Sequence, residues 1–83
     1  MYLNMKDLFY YAIGRKYKKP LNSNQNTIQL VNDHNKILIF KTIEKQNEYY
    51  DIYDKANTNI NIEYIKIKIN SNNIDLSLCK IIE

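Results

Sequence analysis

Between Thr58 and Ile82 the chain reads TNINIEYIKIKIN, then SNN, then IDLSLCKII, with apolar and polar residues alternating on both sides of a short Ser/Asn break. A period of two is that of half-buried β-structure, so the pattern predicts strands over 59–69 and 74–82 joined as an antiparallel hairpin. The alternation changes phase within the first strand. Ile60, Ile62 and Tyr64 are even-numbered, whereas Ile65, Ile67 and Ile69 are odd. A one-residue bulge at Glu63–Ile65 would turn all six toward one core; the rival explanation is a strand covered on both faces. In the hairpin register Ile69, Ile67 and Ile65 face Ile74, Leu76 and Leu78. The opposite face then pairs Lys68 with Asp75 and Lys66 with Ser77.

The earlier half follows other periods. Met5, Leu8, Phe9, Ala12 and Ile13 match the i, i+3, i+4, i+7, i+8 stripe of an amphipathic helix, with Asn4 as its cap and Asp7 in the capping-box position. Gly14 is a candidate terminator, but Tyr17 extends the Phe9–Ile13 row and Pro20 disfavours helical geometry at Lys19, which predicts a helix over about 5–18. A polar loop follows. Strands are predicted over 27–31, over 36–44 (whose ILIF run suits burial on both faces) and over the tyrosine-rich 48–54. The sum is an α+β protein: one N-terminal amphipathic helix packed on a five-stranded, mostly antiparallel meander sheet, all within a single domain, 1–83.

Composition adds a structural expectation. Ile, Asn, Lys and Tyr dominate, while Gly14, Pro20 and Arg15 are each the sole residue of their type. All four abundant residues have AT-rich codons, so the bias reads as genomic. With glycine almost absent, asparagine is expected to supply the turns and most left-handed backbone positions, at Asn32, Asn35, Asn47, Asn57, Asn72 and Asn73. The lone Cys79 cannot form a disulfide within the chain, and the longest apolar run, Leu8–Ile13, is too short for a membrane span. These features predict a protein of the cytoplasm, in a host cell if the gene is mobile, without membrane association.

Chemistry is sparse. His34 stands alone among turn residues without a second histidine or nearby cysteine to complete a metal site, and Cys79 falls on the polar parity of the last predicted strand as a passive thiol. Ser71 and Ser77 lack a nucleophile elbow, and phosphate-binding, dinucleotide and zinc-protease motifs are missing. No catalytic residue, metal or cofactor is therefore expected, and the chain reads as non-enzymatic.

Two segments remain as candidate surfaces. In Glu48-Tyr49-Tyr50-Asp51-Ile52-Tyr53-Asp54, tyrosines alternate with acids, and Glu48, Tyr49, Asp51, Tyr53 and Asp54 form a candidate protein-binding face. In Arg15-Lys16-Tyr17-Lys18-Lys19, cations flank an aromatic, as phosphate neutralisation and base stacking require; Lys36, Lys41 and Lys45 extend that candidate nucleic-acid surface. The bland alternatives are a strand-forming tyrosine run and cations that complement a helix terminus. Charge is uneven: residues 1–45 hold eight Lys/Arg and three Asp/Glu, residues 46–83 four and six. The leading expectation is a small binding protein encoded by a phage or mobile element. It would inhibit a larger host protein or nucleoprotein complex by steric coverage, an anti-CRISPR-like or anti-defence role reached by analogy. A nucleic-acid-binding module is the alternative. A homo-oligomeric structural subunit pairing through an edge strand is the third, and the chain is taken as monomer or homodimer.

Overall fold

In the computed structural model, which describes residues 8–83, the run Phe9–Tyr17 is strand β1, with hydrogen-bonded neighbours on both edges. The rest of the fold is β2 (Gln29–Leu30), β3 (Asn32–Asp33), β4 (Lys36–Phe40), helix α1 (Ile43–Ala56), β5 (Ile62–Asn70) and β6 (Cys79–Ile82). The architecture is α+β, one helix with one mixed six-stranded sheet. Along one edge of β1 runs β5, antiparallel, in one-to-one register from Phe9 opposite Asn70 to Tyr17 opposite Ile62. On the other edge β2 meets Gly14 and Arg15, and β4 meets Tyr11. Val31 links these two neighbours, donating its N–H to Ile13 O while its own O accepts from Leu38 N. Beyond β4, β6 lies parallel to it.

Adjacent residues of β1 point to opposite faces, yet Ala12 and Ile13 are 0% and 1% exposed. Both faces are therefore covered. On one, Ile13, Leu38 and Phe40 pack under Tyr49, Tyr50 and Tyr53 of α1. On the other, Ala12, Ile39 and Cys79 are flanked by Ile67 and Ile69 and by Ile74. Ile74 comes from residues 71–78, two 3-10 turns that carry the chain from the end of β5 to the start of β6. Gln46 fixes the helix to the sheet: buried on α1, it donates its amide to Ala12 O (2.8 Å) and Ile67 O (3.1 Å).

Several expectations are corrected. Over Phe9–Tyr17 the chain is a strand, not a helix; the cap Asn4 and residues 5–7 of the expected helix lie outside the described residues. The stripe that imitated a helix belongs to a strand buried on both faces, whose near-continuous apolar run has no alternation to reveal it. Conversely, 48–54 lies within α1, because Gln46, Tyr49, Tyr50 and Tyr53 recur at i, i+3, i+4 and i+7. Strand 36–44 stops at Phe40, where Thr42 caps the helix by accepting from Lys45 N at 3.1 Å. The predicted strand 27–31 narrows to β2, with β3 continuing it after Val31.

The 59–69/74–82 hairpin does not form. β5 pairs with β1 and β6 with β4, so the sheet is mixed rather than a five-stranded meander, and the helix sits between β4 and β5. No bulge interrupts β5, whose register is unbroken across Glu63–Ile65. The phase change arises from two-sided burial instead: Ile62 and Tyr64 face α1, while Ile65, Ile67 and Ile69 lie on the opposite face. Lys68 stands over the Phe9 ring rather than against Asp75, and Cys79 is buried.

The asparagines turn the chain mainly by side-chain acceptance. Asn57, Asn59 and Asn70 each accept from the backbone N–H two residues on, at 2.9–3.0 Å. Among the described residues, non-glycine positive φ is confined to His34 (52°) and Asn35 (67°), the two-residue turn between β3 and β4. Both angles positive is the type I′ signature that suits a hairpin's twist. Asn32 and Asn47 lie in β3 and α1 rather than in turns.

Gly14 is needed for space, not for left-handed backbone. A Cβ there would stand 2.6 Å from Ile67 Cδ1 and 2.7 Å from Ile28 Cγ2. Gly14→Ala is expected to destabilise the fold by about 1–2 kcal/mol through overpacking, and Gly14→Val by more. Urea denaturation followed by circular dichroism measures this; unchanged or increased stability would mean that the isoleucines move aside freely.

Candidate functional site

Helix α1 holds the tyrosine-acidic segment, and helical geometry divides it. Tyr49 and Tyr53 turn inward: the Tyr49 ring lies 4.9 Å from that of Phe40, and Tyr53 lies 5.4 Å from Tyr64, both tilted. Such pairs add about 0.5–1.5 kcal/mol beyond the area they bury. Burial, followed by the nearby charge of Asp33, pushes the Tyr53 phenol above its ordinary range, so it stays neutral beneath the helix. Glu48, Asp51 and Asp54 remain exposed. The structure thus separates the five candidate residues into two buttressing tyrosines and three solvent-facing acids.

Glu44, Glu48, Asp51 and Lys55 follow one another at i, i+4, i+7 and i+11, which places them along the outer ridge of α1. Ile52, 62% exposed, stands beside this ridge. Lys45 partly offsets it, with Nζ 3.4 Å from Glu48 Oε1. Exposed i,i+3 pairs of this kind contribute a few tenths of a kcal/mol and leave the ridge acidic. Glu44 and Ile52 were missing from the sequence-based candidates; the 3.6-residue spacing that identifies them was masked by the alternation of tyrosine and acid.

The basic segment is divided too. Arg15 and Tyr17 lie on the α1 side of β1, the guanidinium 5.6 Å from the ring centroid, whereas Lys16 projects to the other face and meets Glu63 at 3.3 Å. Lys18 and Lys19 continue past the strand end, exposed, with their backbone N–H groups donated to Asn61. Lys16, Tyr17 and Lys18 border a shallow cleft of about 270 Å³ together with Gln25, Asn26 and Thr27. Lys36, Lys41 and Lys45 do not join this group. Lys41 pairs with Glu83 and Lys45 with Glu48, and Lys36 opens β4 beside the His34–Asn35 turn.

No known relative marks a site. No protein-family model matches the chain, and neither does any curated protein or solved structure. Among the described residues, no group of three His, Cys, Asp or Glu is arranged to hold a metal ion, and no helix is long and apolar enough to cross a membrane. Burial raises the Cys79 thiol above its usual range, which keeps it protonated and unreactive at neutral pH.

A polar cluster joins distant parts of the chain. Lys80 Nζ donates to Asp33 Oδ2 at 2.7 Å, and His34 Nδ1 lies 2.6 Å from Asp33 Oδ1. Lys80, and then His34, hold the Asp33 carboxyl below its ordinary range; Asp33 in turn raises Lys80. A depressed carboxyl adds stability above its unfolded value, lost as pH falls through the folded one. A raised ammonium adds stability below its unfolded value, lost as pH rises through the folded one. The pair is therefore fully effective between about pH 4 and about pH 10. Asp33→Asn is expected to be less stable than the parent in that window, and urea titrations at pH 2 and pH 7 should show the gap narrowing in acid. An equal gap at both pH values would show that the loss is not electrostatic.

Proposed function

We propose that this chain is a non-enzymatic binding protein, encoded by a phage or mobile element, that inhibits a larger host protein or nucleoprotein complex by covering a working surface. The role resembles that of anti-CRISPR and other anti-defence proteins by analogy. The observation that carries the reading is the outer ridge of α1. Glu44, Glu48 and Asp51 present negative charge beside an exposed Ile52, with Asp54 on the flank. Tyr49, Tyr50 and Tyr53 beneath the helix, with the Gln46 anchor, hold that ridge in one position. A rigid, charged surface loses little conformational entropy when a partner docks, and its charge favours a basic partner.

A second reading is supported by the other end of β1, where Lys18 and Lys19 stand exposed near the Arg15–Tyr17 stack. It is a nucleic-acid-binding surface. Its affinity would fall steeply with salt, because neutralised phosphates release counterions. Lys16 contributes less to it, being paired with Glu63.

Affinity capture from the natural host tests the first reading. The parent is expected to retain a specific complex, and Glu48→Lys with Asp51→Lys to lose it while circular dichroism stays unchanged. Removing both acids should weaken binding by about tenfold or more. Retention by the double variant would reject α1 as the interface. Salt-sensitive binding of DNA or RNA by that variant, lost on Lys18→Glu with Lys19→Glu, would favour the second reading.

A further inference from the structure

The outer edge of β5 is built to accept another strand. Lys18 N–H donates to Asn61 O at 2.8 Å and Ser71 N–H to Leu8 O at 2.9 Å, bracketing a ladder in which the odd-numbered residues of β5 bond to β1. Even-numbered residues therefore turn their backbone N–H and C=O groups the other way. Ile62 satisfies its own groups locally, donating to Asn59 O and accepting from Asn57 Nδ2. Tyr64, Lys66 and Lys68 have no backbone partner on that outward side among the described residues. A groove of about 420 Å³ runs beside this edge, between Ile43 and Asn47 of α1 and Lys66 and Lys68 of β5. Both amines are poised over aromatic rings, Lys66 4.8 Å from the Tyr50 centroid and Lys68 4.2 Å from that of Phe9.

The charges choose the occupant. A second copy pairing antiparallel about the centre of the open stretch would set Lys66 directly against Lys66 and bring all four lysines of the two edges together. Like charges in cross-strand positions oppose pairing, and lysines on an edge discourage self-association. Shifting the register to escape that clash would draw in Ile62, whose backbone groups are already used. We propose that β5 takes up an extended segment of a partner protein in which Glu or Asp alternates with apolar residues. Its carboxylates would meet Lys66 and Lys68 in the groove, and its apolar side chains would lie beside Ile65, Ile67 and Ile69 on the opposite face. Main-chain bonds supply affinity in this mode, and the alternating side chains supply selectivity.

This surface is separate from the outer ridge of α1 and does not rest on that reading. The test uses the full chain with two labelled, end-capped peptides, one alternating Glu and Val, the other Lys and Val. Anisotropy should show the Glu peptide binding, more weakly as salt rises, and the Lys peptide binding at least about tenfold less well, the effect of two cross-strand charge pairs. Amide exchange at Tyr64, Lys66 and Lys68 should slow in the complex. Lys66→Glu with Lys68→Glu, checked for folding by circular dichroism, should reverse the preference. Lys66→Pro, which removes an outward N–H that β1 does not use, should abolish binding of either peptide. Equal binding of both peptides, binding of neither, unchanged exchange at the three amides, or light scattering that shows a β5-paired dimer would each overturn the proposal.

Discussion

Everything in this fold follows from burying β1 on four sides. Three strands flank its edges, a helix covers one face and a short crossover helps cover the other, so residues as close as Ala12 and Ile13 belong to different halves of the core. Full burial of an Ile side chain is worth about 1.5–3 kcal/mol, and a small chain has few such opportunities. This one gains them by placing apolar residues on both sides of a single sheet. The arrangement calls for two coverings, and the connections after β4 and β5 provide them. It also explains why Gln46 is tolerated in the interior: both amide donations go to backbone oxygens of the central ladder, so the buried polar group is hydrogen-bonded.

The same two-sided burial governs how much was legible in the sequence. β5 and β4 were readable as strands, because Ile65, Ile67 and Ile69 alternate with lysines and Ile37–Phe40 is a short, wholly apolar run. The phase change at Tyr64 correctly signalled something unusual, but coverage of both faces was its cause. β1 was unreadable, since Phe9, Ala12 and Ile13 satisfy helical spacing as well as the continuous run of a central strand. α1 failed in the opposite direction: Tyr49, Asp51 and Tyr53 imitate period two, while Gln46, a polar residue at a core position, removed the apolar mark that would have revealed the 3.6-residue stripe. Glu48, Asp51 and Asp54 were named from the sequence and Glu44 was not, because their arrangement on a ridge depends on a helix that the tyrosines concealed. Strand pairing lay beyond reach, because β1–β5 and β4–β6 join segments whose periodicity carries no information about partners.

Charge is segregated by structural role. Lysines at the β5 edge flank the exposed backbone, acids line the outer helix, and Asp33 with Lys80 ties the β3–β4 turn to the last strand. Tyr49, Tyr50, Tyr53 and Tyr64 belong to neither exposed set; they fill the space between helix and sheet, where a large ring with few rotatable bonds occupies volume at low entropic cost. The composition that first suggested a genomic bias is thus put to consistent use. Asparagine side chains form the turns that glycine would otherwise make, and isoleucine fills both faces of the sheet.

The pairing of β1 with β5 has a temporal side. Phe9 finds its partner at Asn70 and Tyr17 at Ile62, so the central ladder closes around almost the whole intervening chain. Contacts this distant fold slowly, because loop closure precedes any reward from pairing. During synthesis β1 is therefore made well before β5 and remains without its long partner until β5 emerges. α1 rests on local contacts and can form in the interval, and the crossover to β6 can close only afterward. A strand covered on both faces in the finished molecule thus spends that interval in water.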